Sequence, residues 1–116
     1  MNKILLFLEH EKNRILLKEF LQSNYEVIIS VQKAVPTEKI DLIIVDDLAL
    51  DKHKDKLKQL KADKRPVFLP ILFLTSRQRN LVKPLSDLVD EYIKVPIEKE
   101  ELKVRVQNLL KLRRFS

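Results

Sequence analysis

The sequence predicts a single doubly wound α/β domain built on a five-stranded parallel sheet, and three observations predict it. The first is the run Ile40-Asp41-Leu42-Ile43-Ile44-Val45-Asp46-Asp47, four consecutive apolar residues running straight into two carboxylates. A strand without polar alternation suits a sheet covered by helices on both faces. The second is that similar short apolar runs, Ile4 to Leu8, Val27 to Ile29 and Ile71 to Leu74, alternate with segments of helical periodicity. Repeated β-α units with short connections favour right-handed crossovers and a parallel sheet. The third is size: 116 residues with 45% hydrophobic and 34% charged residues make one domain able to bury a core. In such sheets ligands bind outside the carboxyl ends of the strands, which makes Asp46 the residue to watch.

Each element follows in order. Residues 3–8 read as the first strand, and residues 11–23 as an amphipathic helix with Ile15, Leu16 and Phe20 turned inward and Asn24 as its stop. Residues 25–30 make a second strand around Val27-Ile28-Ile29, followed by an irregular proline-containing connection over 31–39. The central strand covers 41–45, and a highly charged helix covers 52–62, anchored only by Leu57, Leu60 and Ala62. Residues 70–75 form the fourth strand, and a weak helix interrupted or started by Pro84 covers 79–88. The fifth strand, Glu91 to Lys94, leads through Pro96 into a long helix to Arg114 that carries Leu102, Val106, Leu109 and Leu110 on one face.

Composition narrows the function. There is no cysteine, so disulfides and thiolate metal sites are excluded and a cytoplasmic home is the simple expectation. The apolar run at residues 4–8 is too short to cross a bilayer and is followed at once by Glu9-His10-Glu11-Lys12, so neither an anchor nor a signal peptide is expected. Glycine is absent, which leaves the helix caps and tight turns to Asn, Asp, Ser and Pro. From Lys52 to Arg65 seven of fourteen residues are Lys or Arg. That run could bind nucleic acid or an anionic surface, but it lacks interleaved aromatics and reads better as a solvated helix face.

Taken together, Ile4 to Glu9, Leu16-Leu17-Lys18-Glu19-Phe20-Leu21, Asp41 to Asp46, Pro70 to Ser76 and Asp90-Glu91-Tyr92-Ile93-Lys94-Val95-Pro96-Ile97 resemble the receiver domain of bacterial two-component response regulators. The resemblance runs over essentially the whole chain. It implies a flavodoxin-like sheet of strand order 2-1-3-4-5, here with a shortened second helix because the segment between strands two and three is short. It also implies phosphorelay chemistry: a phosphoryl group passes from a kinase histidine to a carboxylate, with Mg²⁺ and fixed charges stabilising the transfer. By position, Asp46 matches the phosphoacceptor, Thr75 the phosphoryl-contacting hydroxyl, Glu9 and Asp46 the metal ligands and Tyr92 the switch aromatic. A histidine kinase or other signalling protein is the implied partner, and the face of the fourth helix, fifth strand and fifth helix the implied site of homodimer or output contacts. An ordinary enzymatic turnover is not implied, and Lys111 to Ser116 reads as the start of a linker to an output domain.

Two positions depart from the family pattern. Leu8 stands where the first acid belongs, and Val95 stands where a lysine belongs directly before Pro96. Lys94 is one residue early and, by strand alternation, is expected to point away from the site. The expectation is therefore a degenerate phosphoacceptor site with weak or absent Mg²⁺, acting through protein–protein contacts. Other readings stand beside it. Asp46 could be a competent acceptor, or only a leftover of ancestry or a cap for the following loop; Thr75 could likewise be a hydroxyl capping the next loop, and Tyr92 a packed edge aromatic.

Overall fold

Five parallel strands and three helices make up the described part of the computed structural model, which comprises residues 1–29, 39–63, 68–75 and 88–115. They are β1 (Lys3–Phe7), α1 (Glu11–Leu21), β2 (Glu26–Ile29), β3 (Leu42–Asp46), α2 (Asp47–Asp63), β4 (Ile71–Thr75), β5 (Glu91–Lys94) and α3 (Lys99–Arg114). The sheet order is β2-β1-β3-β4-β5, as the sequence predicts, with every neighbouring pair parallel. The shortened second helix and nearly all of the weak helix expected at 79–88 lie outside the described residues.

Strand alternation explains why the runs are apolar throughout. Ile4, Leu6, Leu42, Ile44, Leu72 and Leu74 enter one core cluster with residues of α1 and α3, while Leu5, Phe7, Ile43, Val45, Ile71 and Phe73 enter a second with Ala49, Leu50 and Leu57 of α2. Leu42, Ile43, Ile44 and Val45 are all at 0% exposure, so β3 is anchored on both faces. Each such side chain contributes about 1.5–3 kcal/mol by burial, which fixes the strand that carries Asp46.

The helices depart from expectation in three places. In α1 the buried residues are Leu17 and Leu21, with Phe20 partly buried, whereas Ile15 and Leu16 are 51% and 40% exposed. At about 100° per residue Ile15 falls nearly opposite Leu17, so the crowded apolar segment could not put all its members on one side. In α2 the helix begins at Asp47, not Lys52, and breaks locally at His53 (φ −122°, ψ 24°). Ala62 is exposed because it lies about 140° around the helix from Leu57, off the buried face. In the turns, no described residue has positive φ. The glycine-free chain closes α1 instead with right-handed Gln22, whose N–H donates to the Lys18 carbonyl, and with Asn24 and Tyr25 N–H bonds to the Leu21 carbonyl.

Polar ties hold the far end of the sheet. Asp41 accepts the Lys3 N–H at 2.8 Å and pairs with Arg113 of α3 at 3.2 Å. Lys61 of α2 pairs with Asp90 and also donates to the Leu88 carbonyl, while Asp90 accepts the Ile71 N–H. At the opposite, carboxyl end, the order reverses on either side of β1, so β1 and β3 open a crevice between their following loops.

Candidate functional site

Asp46 ends β3 in that crevice and is 2% exposed. Its Oδ2 accepts the backbone N–H groups of Glu9 (2.8 Å) and His10 (3.0 Å), and its Oδ1 accepts that of Ala49 (2.9 Å). Ala49 is the third residue of α2, so the Oδ1 bond is the side-chain cap of a helix N-terminus. The negative charge also suits the positive end of that helix. A carboxylate offers about four lone-pair positions, and three are taken by the chain's own amides.

The neighbouring family positions are filled differently. Glu9 meets Asp46 through its backbone, while its half-buried carboxylate lies 3.6 Å from His53 Nε2 and 3.8 Å from Lys52 Nζ. The His53 ring tilts against Phe7 at 4.7 Å between centroids. Leu8 is 2% exposed within the cluster beneath α1 and α3, and its carbonyl accepts Arg14 Nη1 at 3.2 Å. Val95 packs, partly buried, against the same cluster.

Thr75, also 2% exposed, ends β4 one residue past the Leu74 that pairs in register with Asp46. Its backbone carbonyl accepts the Val95 N–H at 3.0 Å, and its register partner on β5 is the exposed Lys94. Tyr92 pairs in register with Phe73 and packs, partly buried, against the α2-side cluster. Asp46, Glu9 and Thr75 thus come to one end of the sheet, and Tyr92 sits further back along its strand. Sequence reasoning missed His53 and Lys52 as partners of Glu9; the seven-residue spacing of Leu50 and Leu57, with Asp46 three residues before Ala49, was the available sign that the helix starts early.

Mg²⁺ takes oxygen ligands in a near-ideal octahedron. Among the described residues no group of three or more His, Cys, Asp or Glu gathers to hold a metal ion. Asp46 is turned to three N–H donors, Glu9 to His53 and Lys52, and Leu8 lies in the core. The basic run is partly consumed inside the molecule too: Lys52 pairs with Glu9, and Lys61 with Asp90 while lying 5.5 Å from the Phe68 ring centroid. Among the described residues no helix is long and apolar enough to cross a membrane.

No family model matches the chain. Among curated proteins it is 32% identical over 112 residues to the hybrid signal transduction histidine kinase D of Dictyostelium discoideum, a match covering 90% of this chain. The chain spans 7% to 9% of the length of the curated relatives it matches. Among solved structures it is 28% identical, with a TM-score of 0.78, to a response regulator receiver modulated diguanylate cyclase from Pelobacter carbinolicus, covering 99% of this chain and 97% of that one. It is 25% identical, with a TM-score of 0.69, to the response regulator TrrA of Thermotoga maritima in complex with Mg²⁺ and BeF, covering 94% of this chain and 99% of that one.

Proposed function

We propose that this chain, a receiver domain of two-component signalling by fold and by its relatives, is one whose phosphoacceptor site has decayed and which works through protein–protein contacts. The observation that carries the reading is the packing of Leu8 and Val95. Both stand where the family pattern has charge, and both belong to one hydrophobic cluster. A working receiver stabilises the transferring phosphoryl group by position and electrostatics, using a metal and a cation. Here Asp46, Glu9 and Thr75 keep the acceptor, second-acid and hydroxyl positions, while the first acid and the lysine are replaced by apolar side chains packed in the core cluster or against it. A histidine kinase is the natural signalling partner for such a domain, whether separate or joined to it in one polypeptide, and the cytoplasm its natural compartment.

Competent phosphorylation of Asp46 is the competing reading, and the register of Lys94 beside Thr75 favours it. A Mg²⁺ titration followed on the amide resonances of Glu9, His10 and Asp46 separates the two. The decayed site gives no saturable shift; a saturable shift centred on these residues would favour competence.

For the contact surface we take the outer side of α3, the fifth helix of the sequence reading. Val104 and Leu112 are 50% and 58% exposed there, and Leu112 borders a cleft shared with Phe68 and Leu109 and rimmed by Asp90, Glu91 and Arg105. Arg105 is itself paired with Glu91 and Glu101, giving apolar anchors within a charged rim. Replacing both Val104→Glu and Leu112→Glu is expected to abolish self-association or partner binding, measured by analytical ultracentrifugation or pull-down with the kinase. The thermal transition should stay nearly unchanged, because neither side chain is buried. Association that survives both charges would place the interface elsewhere.

A further inference from the structure

We propose that Asp46 is a structural clamp: its buried carboxylate, held by the backbone N–H groups of Glu9, His10 and Ala49 where a divalent cation would otherwise be needed, locks the crevice end of the sheet in one closed arrangement. The inference deepens the decayed-site reading and rests on it.

The two oxygens do separate work. Oδ1 fixes the first turn of α2 through Ala49, and Oδ2 fixes the turn between β1 and α1 through Glu9 and His10. Because β1 and β3 are neighbours in the sheet, one side chain ties together the two loops that leave them. The β1–α1 turn has need of an outside acceptor: the N–H groups of Glu9 and His10 lie between β1 and α1, ahead of the helix's own hydrogen-bond ladder. Backbone N–H groups in a partly buried turn must find an acceptor, and a carboxylate supplies a stronger one than a neutral group. Competition follows from the same geometry. A metal ion or a phosphoryl group at Asp46 would have to share the carboxylate with amide donors already at 2.8 to 3.0 Å, or displace them.

The near-isosteric Asp46→Asn tests this, because an amide keeps one acceptor oxygen and turns two N–H donors toward the others. The clamp predicts an unfolding equilibrium shifted toward the unfolded state by about a hundredfold, the size of one to two lost charge-assisted hydrogen bonds. The exposed control Asp51→Asn should shift it by no more than about twofold. A second variant, Asp46→Ser, retains a capping oxygen for Ala49 alone. In it, hydrogen exchange should accelerate at Glu9 and His10 while Ala49 stays protected, a pattern that general destabilisation does not produce. Failure of both Asp46 variants to fold, with Asp51→Asn folded, also supports the clamp. Asp46→Asn as stable as the control, or unchanged exchange at Glu9 and His10, overturns it and leaves the decayed-site reading standing. Rapid phosphoryl uptake by the wild type, read by mass and not by stability, would instead overturn the decayed site.

Discussion

Leu8→Asp, which restores the acid of the receiver pattern, is expected to lower stability by about 4 kcal/mol or to unfold the domain. Leu8 is 2% exposed and belongs to the cluster shared by α1 and α3. The substitution removes its packing, a loss of about 2–5 kcal/mol for a buried leucine taken down to alanine size, and leaves a charge in apolar surroundings. Domains of this size have only about 5–15 kcal/mol of total stability, so the change consumes a large share of it. Leu8→Ala is the reference. Chemical denaturation of the two variants should show Leu8→Asp less stable than Leu8→Ala. If the aspartate is the more stable of the two, position 8 opens onto the crevice as an acid site does, with Arg14, which already donates to the residue 8 carbonyl, at hand to receive it.

Much of this architecture is legible in the sequence because strands covered on both faces leave an unmistakable mark. The apolar runs around Leu5, Ile43 and Leu72 carry no polar interruption, and the 3.6-residue stripe Leu102, Val106, Leu109, Leu110 is the buried face of α3. The phase of α1 was harder to read, since Ile15, Leu16, Leu17, Phe20 and Leu21 offer more apolar side chains than one helix face can take. The early start of α2 was hidden because Asp46-Asp47 reads equally well as a loop, and only the bond from Ala49 shows the first acid to be a cap.

The partners at the site were less legible still. Backbone amides have no side-chain signature, so nothing at Glu9 or His10 announces that their N–H groups meet a carboxylate 37 and 36 residues away. Lys61 likewise looks like one more member of a charged run, yet its partner Asp90 is 29 residues further on. The departures Leu8 and Val95 are readable as letters, but their common destination in one cluster is a property of the fold.

The second large effect lies in the chemistry. Transfer to Asp46 would proceed without the first acid and without the family lysine, and each missing charge-assisted contact is expected to cost ~2 kcal/mol or more in transition-state stabilisation, a loss of more than about tenfold each. The amide donors on Asp46 add to the barrier, because hydrogen bonds to the carboxylate stabilise its charge and weaken it as a nucleophile. Val95→Lys, at a partly buried position, restores the cation and should raise uptake above that of the wild type. Uptake by the wild type itself bears most directly on the central claim: intact-mass spectrometry of the protein incubated with acetyl phosphate and Mg²⁺. A decayed site predicts little or no phosphorylated species while a competent receiver treated in parallel is fully converted; rapid, stoichiometric modification mapping to Asp46 would contradict it.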